Sequence, residues 1–482
     1  MLVFRAPRAD KNSRELWSHK TDCSAGLCDY DRALQPCRFG PLAWRVVFLP
    51  FIFLLGWLQA RPSSAQAIDS TIVFRNVSIV PMDSERVLLN RTVVVKRGKI
   101  TAIDQAGKST IPSNSVVIDG SGKYLLPGLA DMHVHTDPSD FALFLANGIT
   151  TIREMNGSAD HLKWRAQLAS GELLGPHLFV ASTLIAGEKV RWRHVLITNP
   201  DEAARVVREF AQQYDFIKVY NGLSRAVYDR IVQTAREANV PVVGHIPKAV
   251  GLDHVLESDQ KSIEHAEQIE YATARFDLPL TPQQAETVAA QIARSKSWVT
   301  PTLASQEVLC RRGTPWFNSL FDKPEMKFVD QSTLAWWSTL KEPPSYSYLR
   351  KDGALDSGNA FFSSQVDLVR ALNRQHALLL AGTDTPNPLL VPGFSLHEEL
   401  RNLHAAGLTN FEVLRTATTN PAAFLGISTE SGTVEVGKRA DLVLVDANPL
   451  QSLEVLRTPS GVMLGGLWLS RRQLNGLLSK KN

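Results

Sequence analysis

Six side chains in this sequence are of types that hold metal ions or move protons, and they recur at one kind of place. The run Leu125-Leu126-Pro127-Gly128-Leu129-Ala130-Asp131-Met132 leads into His133-Val134-His135. Two residues apart on an extended strand, both imidazoles face the same side. Two neutral imidazoles converging from one strand end can grip one metal ion. Lys218 stands inside the apolar segment Phe216-Ile217-Lys218-Val219-Tyr220. An unpaired ammonium is costly to bury there, so such a lysine is neutralised, paired or modified. His245 follows Val242-Val243-Gly244, His265 follows Ile263-Glu264, and Asp384 ends the run Leu378-Leu379-Leu380-Ala381-Gly382-Thr383. Singly, each has an ordinary explanation: histidines are often solvated or packed, and strand-end polar groups often tie down loops. The whole set, every member within or at the end of an apolar run, is much harder to obtain by chance.

The elements that must carry these residues can be read from the same pattern. Between about 124 and 426 strand and helix alternate. Asn199 caps a helix with Pro200 at its first position; it ends near Gln213. Ser224 caps a second helix with Val227, Ile231, Ala235 and Ala238 on one face. Short strands are expected over residues 216–220, 241–245 and 262–265, with a brief helix over 251–258 between the last two. Such units repeated over about 300 residues predict an α/β fold, a (β/α)8 TIM-like barrel, whose chemistry sits at the C-terminal ends of its strands. Residues 71–117 and 432–469 instead read as short strands, with Arg97-Gly98 as a turn. They predict a small β-sandwich domain built from both ends of the mature chain, parts 68–123 and 427–482 around the barrel at 124–426. An insertion over about 305–365, between the seventh and eighth strands, carries Trp316, Trp336, Trp337, Tyr346 and Tyr348. Aromatics there either form a lid or, more commonly, anchor the segment.

The 482-residue chain has a formal net charge of +4. Residues 1–67 hold nine Lys/Arg against five Asp/Glu, so the rest of the chain sums to zero. A nucleic-acid binder keeps a basic surplus on its folded part, and this chain does not. Of the four cysteines only Cys310 lies beyond residue 37, which excludes a disulfide framework or a cysteine metal cluster in the body. Arg45, the uncharged run Val46 to Leu58 and Ala65-Gln66-Ala67 make a secretory signal cleaved after Ala67. The run is too short for the roughly 20 residues a membrane span needs. The expectation is a periplasmic or secreted bacterial protein that meets a membrane only through the signal segment in 1–67.

These residues resemble the amidohydrolase superfamily, in its binuclear imidazolonepropionase-like and prolidase-like branch. The resemblance rests on Pro127-Gly128 leading to His133-Val134-His135, on Gly148-Ile149-Thr150-Thr151-Ile152-Arg153, and on Gly244-His245, Ile263-Glu264-His265 and Pro301-Thr302-Leu303. It continues through Ala381–Asp384, Ser395-Leu396-His397-Glu398-Glu399-Leu400, Ala417-Thr418-Thr419-Asn420-Pro421-Ala422 and Gly437-Lys438-Arg439-Ala440-Asp441. Glu154 departs from the aspartate common in relatives, at a position expected to touch no metal ligand. The resemblance implies two divalent metal ions. His133, His135 and Asp384 would hold one and His245 and His265 the other, with Lys218, carbamylated by carbon dioxide, between them. Nitrogen and oxygen ligands without thiolate suit zinc, though manganese, cobalt or iron also fit. The implied reaction is hydrolysis of a C–N bond in a small amide, cyclic amide or dipeptide-like substrate. Water is activated between the metals, and Asp384 is the catalytic proton carrier.

Xaa-Pro or acyl-amino-acid cleavage is the sharper expectation. The same constellation serves lactone and ester hydrolysis, and a barrel without activity would serve as a binding protein. A mononuclear deaminase would not need Lys218. Substrate contacts are expected from Tyr220, two residues beyond Lys218, from His397 after the eighth strand, and from Arg193 and His194 in a loop suited to an anion. The reading leaves room for an oligomer.

Overall fold

The computed structural model describes residues 71–108, 111–274, 279–341 and 354–479, all within the unit Arg61–Asn482. The leader, its apolar run and its cleavage site lie outside the described residues, as do Tyr346 and Tyr348. Among the described residues no helix is long and apolar enough to cross a membrane.

Eight parallel strands form the centre: β1 (Leu129–Val134), β2 (Ile149–Glu154), β3 (His177–Val180), β4 (Ile217–Val219), β5 (Val242–Gly244), β6 (Ser262–Glu264), β7 (Trp298–Thr300) and β8 (Leu378–Leu379). Every residue of β1 and β2 is buried, as strands covered on both faces must be. Full ladders join β1 to β3 in order and β4 to β8 in order. Two narrower seams complete the ring. Asp215 N donates to Val180 O at 2.9 Å and Ser182 N to Phe216 O at 2.8 Å, linking β3 to β4. On the other side Met132 N donates to Ala381 O at 2.9 Å, Asp384 N to His133 O and His135 N to Thr385 O, both at 2.7 Å. The second seam runs through three of the six candidate residues, so the contacts that join the last strand to the first also bring these three together.

The helices follow from their caps and faces. In α1 (Pro200–Phe210) Asn199 accepts from Asp201 N at 2.8 Å with Pro200 first. In α2 (Arg225–Glu237) Ser224 accepts from Val227 N, and Val227, Ile231 and Ala235 are buried. Ala238, expected on that face, is the exposed C-cap because the helix ends one residue earlier. Burying each such aliphatic side chain stabilises the fold by about 1.5–3 kcal/mol. Further along come α3 (Ala266–Thr273), α4 (Leu303–Cys310), α5 (Ala354–Arg374) and α6 (Phe394–Ala405). Inside the ring, Phe216 stacks on Phe424 at 5.4 Å, with the Arg153 guanidinium 4.8 Å over the Phe424 ring.

Both ends of the described chain build one sheet of eight strands. Tyr124–Pro127 pairs antiparallel with Leu442–Val445, which brings the two ends together. Phe74, Val93, Leu125, Leu442 and Met463 share its core. Arg97 and Gly98, at φ of 49° and 73°, make the hairpin turn between Leu88–Lys96 and Lys99–Gln105. The segment 432–434 is not a strand: Val434 N donates instead to the loop carbonyl of Pro81 at 3.0 Å.

Between β7 and β8 the insertion carries its own core. Trp337, 1% exposed, packs in one cluster with Phe317, Leu320, Met326 and the 389–391 loop. Trp316 lies half-buried under the Arg311 guanidinium, and Trp336 is exposed. Trp337 and Trp316 thus anchor the insertion.

At the end of β5, Gly244 has φ +136°, and a methyl group there would lie 2.1 Å from the Val219 carbonyl oxygen. Gly244→Ala is expected to destabilise the fold by about 2 kcal/mol or more, read as a lowered urea midpoint.

Candidate active site

At the C-terminal mouth of the ring, His133, His135 and Asp384 bring ligand atoms within 4.8 Å of one another. Both imidazoles present Nε2 to one carboxylate oxygen, Asp384 Oδ1, at 3.4 Å from His133 and 3.3 Å from His135. His265 lies against His133 at 4.7 Å between ring centroids, and His245 against His265 at 5.1 Å. Lys218 is buried among them on β4. Its charge is close enough to His133, His245 and His265 to press all three imidazoles toward neutrality. The structure therefore gathers all six residues at one mouth.

Local backbone geometry aims several of them. His265, Thr302 and Asp384 have φ of 70°, 53° and 60°. Positive φ at non-glycine residues costs about 1–3 kcal/mol each and persists where the surroundings over-determine it. Here it breaks strand alternation, so His265 and Asp384 turn toward the mouth.

All four imidazoles are held by the same nitrogen. His133 Nδ1 bonds Glu264 Oε2 at 2.9 Å, His135 Nδ1 bonds Glu154 Oε1 at 3.3 Å, His245 Nδ1 bonds Asn221 Oδ1 at 3.0 Å and His265 Nδ1 bonds Thr302 Oγ1 at 2.8 Å. Ionised carboxylates and an amide oxygen only accept, and the Thr302 hydroxyl already donates to Pro301 O at 2.8 Å. Each Nδ1 therefore carries a proton. That leaves the Nε2 lone pair of His133, His245 and His265 available. In His135 burial is outweighed by Asp384 and Glu154, which raise it to about 9, so it is an imidazolium at neutral pH whose Nε2 proton a metal ion must displace. Partners of this kind fix the tautomer and orientation of metal-binding histidines. The donor set, four imidazoles held through Nδ1, three of them with Nε2 free, and one ionised carboxylate, fits divalent metal ions.

Beneath the histidines lies a buried ion pair. Arg153 Nη2 donates to both oxygens of Glu264 at 2.9 Å, its Nε to Met132 O at 2.6 Å and its Nη1 to Ser262 Oγ at 3.1 Å. Burial alone would raise the Glu264 pKa, but Arg153 and then Lys218 outweigh it and keep Glu264 ionised. Asp384 behaves alike: burial raises it, and His265, His133 and His135 hold it well below the usual carboxylate range. Asn387 Nδ2 donates to Asp384 Oδ2 at 2.5 Å and to Ser305 Oγ at 3.1 Å.

The expected substrate contacts divide. The Tyr220 ring lies 4.1 Å from His245, and its hydroxyl pairs with Trp192. Burial, aided by the charges of Asp384 and Glu267, pushes that hydroxyl up to about 12. Arg193 Nη2 is committed to Asn156 O at 2.6 Å and His194 Nδ1 contacts Trp192 O at 2.7 Å, so both tie the loop down. His397 is not brought to the cluster. On α6 it lines a cavity of about 200 Å³ with Arg401, His404 and Arg457, and none of the six gathered residues borders it. Glu154 corrects a sequence expectation, since it bonds His135 directly.

Asn221, Thr302 and Asn387 are not assigned as supports from sequence: Thr302 lies in the motif Pro301-Thr302-Leu303, and nothing local marks the other two. Glu264 and Arg153 did carry a signal: two opposite charges inside apolar strands require each other.

The chain belongs to the amidohydrolase family, whose model matches residues 124–469. Among curated proteins, adenine deaminase 3 of Rhizobium meliloti (strain 1021) is 21% identical over 392 residues, 80% of this chain and 56% of that protein. The chain covers less than two-thirds of the length of the curated relatives it matches first. Among solved structures, bottromycin amidohydrolase superposes with a TM-score of 0.69 at 26% identity, covering 88% of this chain and 94% of that one. A Xaa-Pro dipeptidase with bound methionine has the same fold, with a TM-score of 0.63 and 18% identity over 83% of this chain and 100% of that one.

The protonation pattern sets an acid limit on the metal-free protein. Burial first, and then Lys218 for His133 and His245, pull these imidazoles well below the ordinary histidine value; for His265, burial outweighs the opposing charge of Asp384 and takes it down to about 4. They stay neutral in the fold while the unfolded chain protonates near 6.5, so their contribution to stability falls as pH drops below that value. Each contributes up to about 1.4 kcal/mol per pH unit. His135 works oppositely: burial lowers it, but Asp384 and Glu154 outweigh this and raise it to about 9. Its stabilisation is present below 6.5 and lost through 9, and is screened because the side chain is 38% exposed. Asp131 and Glu267, each raised to about 7 chiefly by burial, and Glu399, raised to about 8 by burial, act in the opposite direction over the same range. The expected outcome is therefore comparative: between pH 6.5 and 4.5 the urea midpoint of metal-stripped His265→Asn should drop less, or rise more, than that of the metal-stripped wild type. An unchanged slope would show that His265 does not titrate as described.

Proposed function

We propose that this chain is a metal-dependent hydrolase of C–N bonds with two divalent ions, zinc being the best-suited metal. His133, His135 and Asp384 would hold one ion and His245 and His265 the other, with carbamylated Lys218 between them. The observation that carries this reading is the set of four imidazoles, each fixed through Nδ1, around Asp384 and a buried lysine. Burial presses the Lys218 ammonium down to about 8, against the opposing charge of Glu264. A fraction is then the free amine, whose attack on carbon dioxide gives a carbamate and releases a proton.

When bound, the two ions would acidify the attacking water and polarise the scissile carbonyl. Asp384, held unprotonated by the histidines and oriented by Asn387, accepts the water's proton and returns it to the leaving nitrogen. Glu264, Glu154, Asn221 and Thr302 keep the histidines in one tautomer throughout. Tyr220, with a neutral hydroxyl beside His245, meets the substrate's polar end. The substrate is a small amide, cyclic amide or dipeptide-like molecule, with Xaa-Pro or acyl-amino-acid bonds the sharper choice. Cleavage after Ala67 would deliver the protein to the periplasm or medium.

A second reading, a deaminase with one metal, is favoured by the match to an adenine deaminase over 80% of this chain. Metal content separates the two. Protein purified with bicarbonate should carry about two ions per chain. Lys218→Ala should lose ions and reduce hydrolysis of dipeptides or acyl-amino acids by more than the ~10–100-fold that ligand-supporting residues are worth. One ion per chain, with ammonia released from adenine and undiminished in Lys218→Ala, would favour the deaminase.

A further inference from the structure

The motif Ser395–Leu400 contains a buried carboxyl that the reaction does not use. Glu399, on α6, is fully buried, and its Oε2 accepts from Ala304 N at 2.7 Å. Ala304 is the second residue of α4, whose own cap, Thr302, has φ +53° and makes no side-chain cap bond. The open amides of that helix start are thus met by a carboxyl from another helix, at the end where the helix dipole favours an acceptor. The turn so capped carries two supports of the site. Thr302 Oγ1 takes the Nδ1–H of His265, and Ser305 Oγ takes Asn387 Nδ2, which also donates to Asp384. Glu399 Oε1 has no hydrogen-bond partner among the described residues. A half-satisfied buried carboxyl is a cost to the fold, so its presence calls for a reason other than packing. Lower on the same helix pair, Arg401 Nη2 and Asn402 Nδ2 bond Glu307 Oε2 at 2.7 and 3.1 Å, so α6 is already fastened to α4 without it.

We propose that Glu399 is a positioning residue: by capping α4 from α6 it fixes the Thr302–Ser305 turn, and through that turn the orientation of His265 and Asp384. The proposal rests on the reading of those two residues as metal ligands, and its test includes a readout that needs no metal. In nitrogen-15 histidine-labelled, metal-stripped protein, the His265 Nδ1–H held by Thr302 gives a slowly exchanging downfield proton, assigned by its loss in His265→Asn. Glu399→Met, similar in volume but without an acceptor, should abolish that signal. It should also lower metal affinity and kcat/KM by about 10–100-fold, with kcat falling more than KM. Glu399→Gln, which keeps an acceptor, should restore all three. Ala304→Pro removes the same amide from the other side, is tolerated in a first helical turn, and should reproduce the loss if Glu399→Met does not fold. Arg401→Ala, which loosens the helix pair elsewhere, should lower stability and leave the signal. A His265 signal that survives both Glu399→Met and Ala304→Pro overturns the proposal. A signal lost in those variants, in a protein whose wild type binds no metal, upholds the positioning role and overturns the metal reading instead.

Discussion

A carboxylate sealed from water stays ionised only if a cation is sealed in with it. Glu264 and Arg153 meet that condition inside the ring, and the site is built on the result. An ionised Glu264 must accept, so His133 carries its proton on Nδ1 and offers Nε2 to the mouth. Arg153 also donates to Met132 O, on the strand that bears His133, and lies over Phe424 at the ring's interior. Removing one partner of such a pair strands a charge and costs about 3–5 kcal/mol. The pair is thus both a fastening between β1, β2 and β6 and the fixed reference for the first histidine.

From that reference the polar contacts spread outward in two directions. On one side Asp384 bridges His133 and His135, and Glu154 fixes His135 while its other oxygen takes Thr136 N at 2.8 Å. On the other side Thr302, Ser305 and Asn387 connect His265 and Asp384 to the start of α4. Each contact is worth little alone, since a net hydrogen bond contributes about 0.5–1.5 kcal/mol. Together they hold strained backbone at His265, Thr302 and Asp384 that no single one would maintain.

The remaining architecture serves this arrangement at a distance. The sheet domain joins the two ends of the described chain through Tyr124–Pro127 and Leu442–Val445, immediately before β1 begins. The insertion, with Trp337 at its core, packs against the 389–391 loop that follows Asp384. Neither contributes one of the six gathered residues, and both restrain segments that do.

The sequence by itself determined what alternation and burial dictate. His133 and His135 had to share a side because they lie two apart on a strand, and Lys218 had to matter because an ammonium in an apolar strand needs a reason. The family motifs and the flanking strand-rich ends followed from local pattern alone. Only the tertiary structure decided which polar groups support which of the gathered residues. Glu264 stands 131 positions from His133, and Asp384 meets β1 only when the last strand closes on the first. It also decided that Glu154 touches His135, that Arg193 and His194 are tied to loop carbonyls, that His397 lines a separate cavity, and that Glu399 reaches another helix. Strand periodicity gives the side on which a residue emerges, but positive φ at a strand end cancels that rule. Contacts across a closing ring have no counterpart in neighbouring sequence.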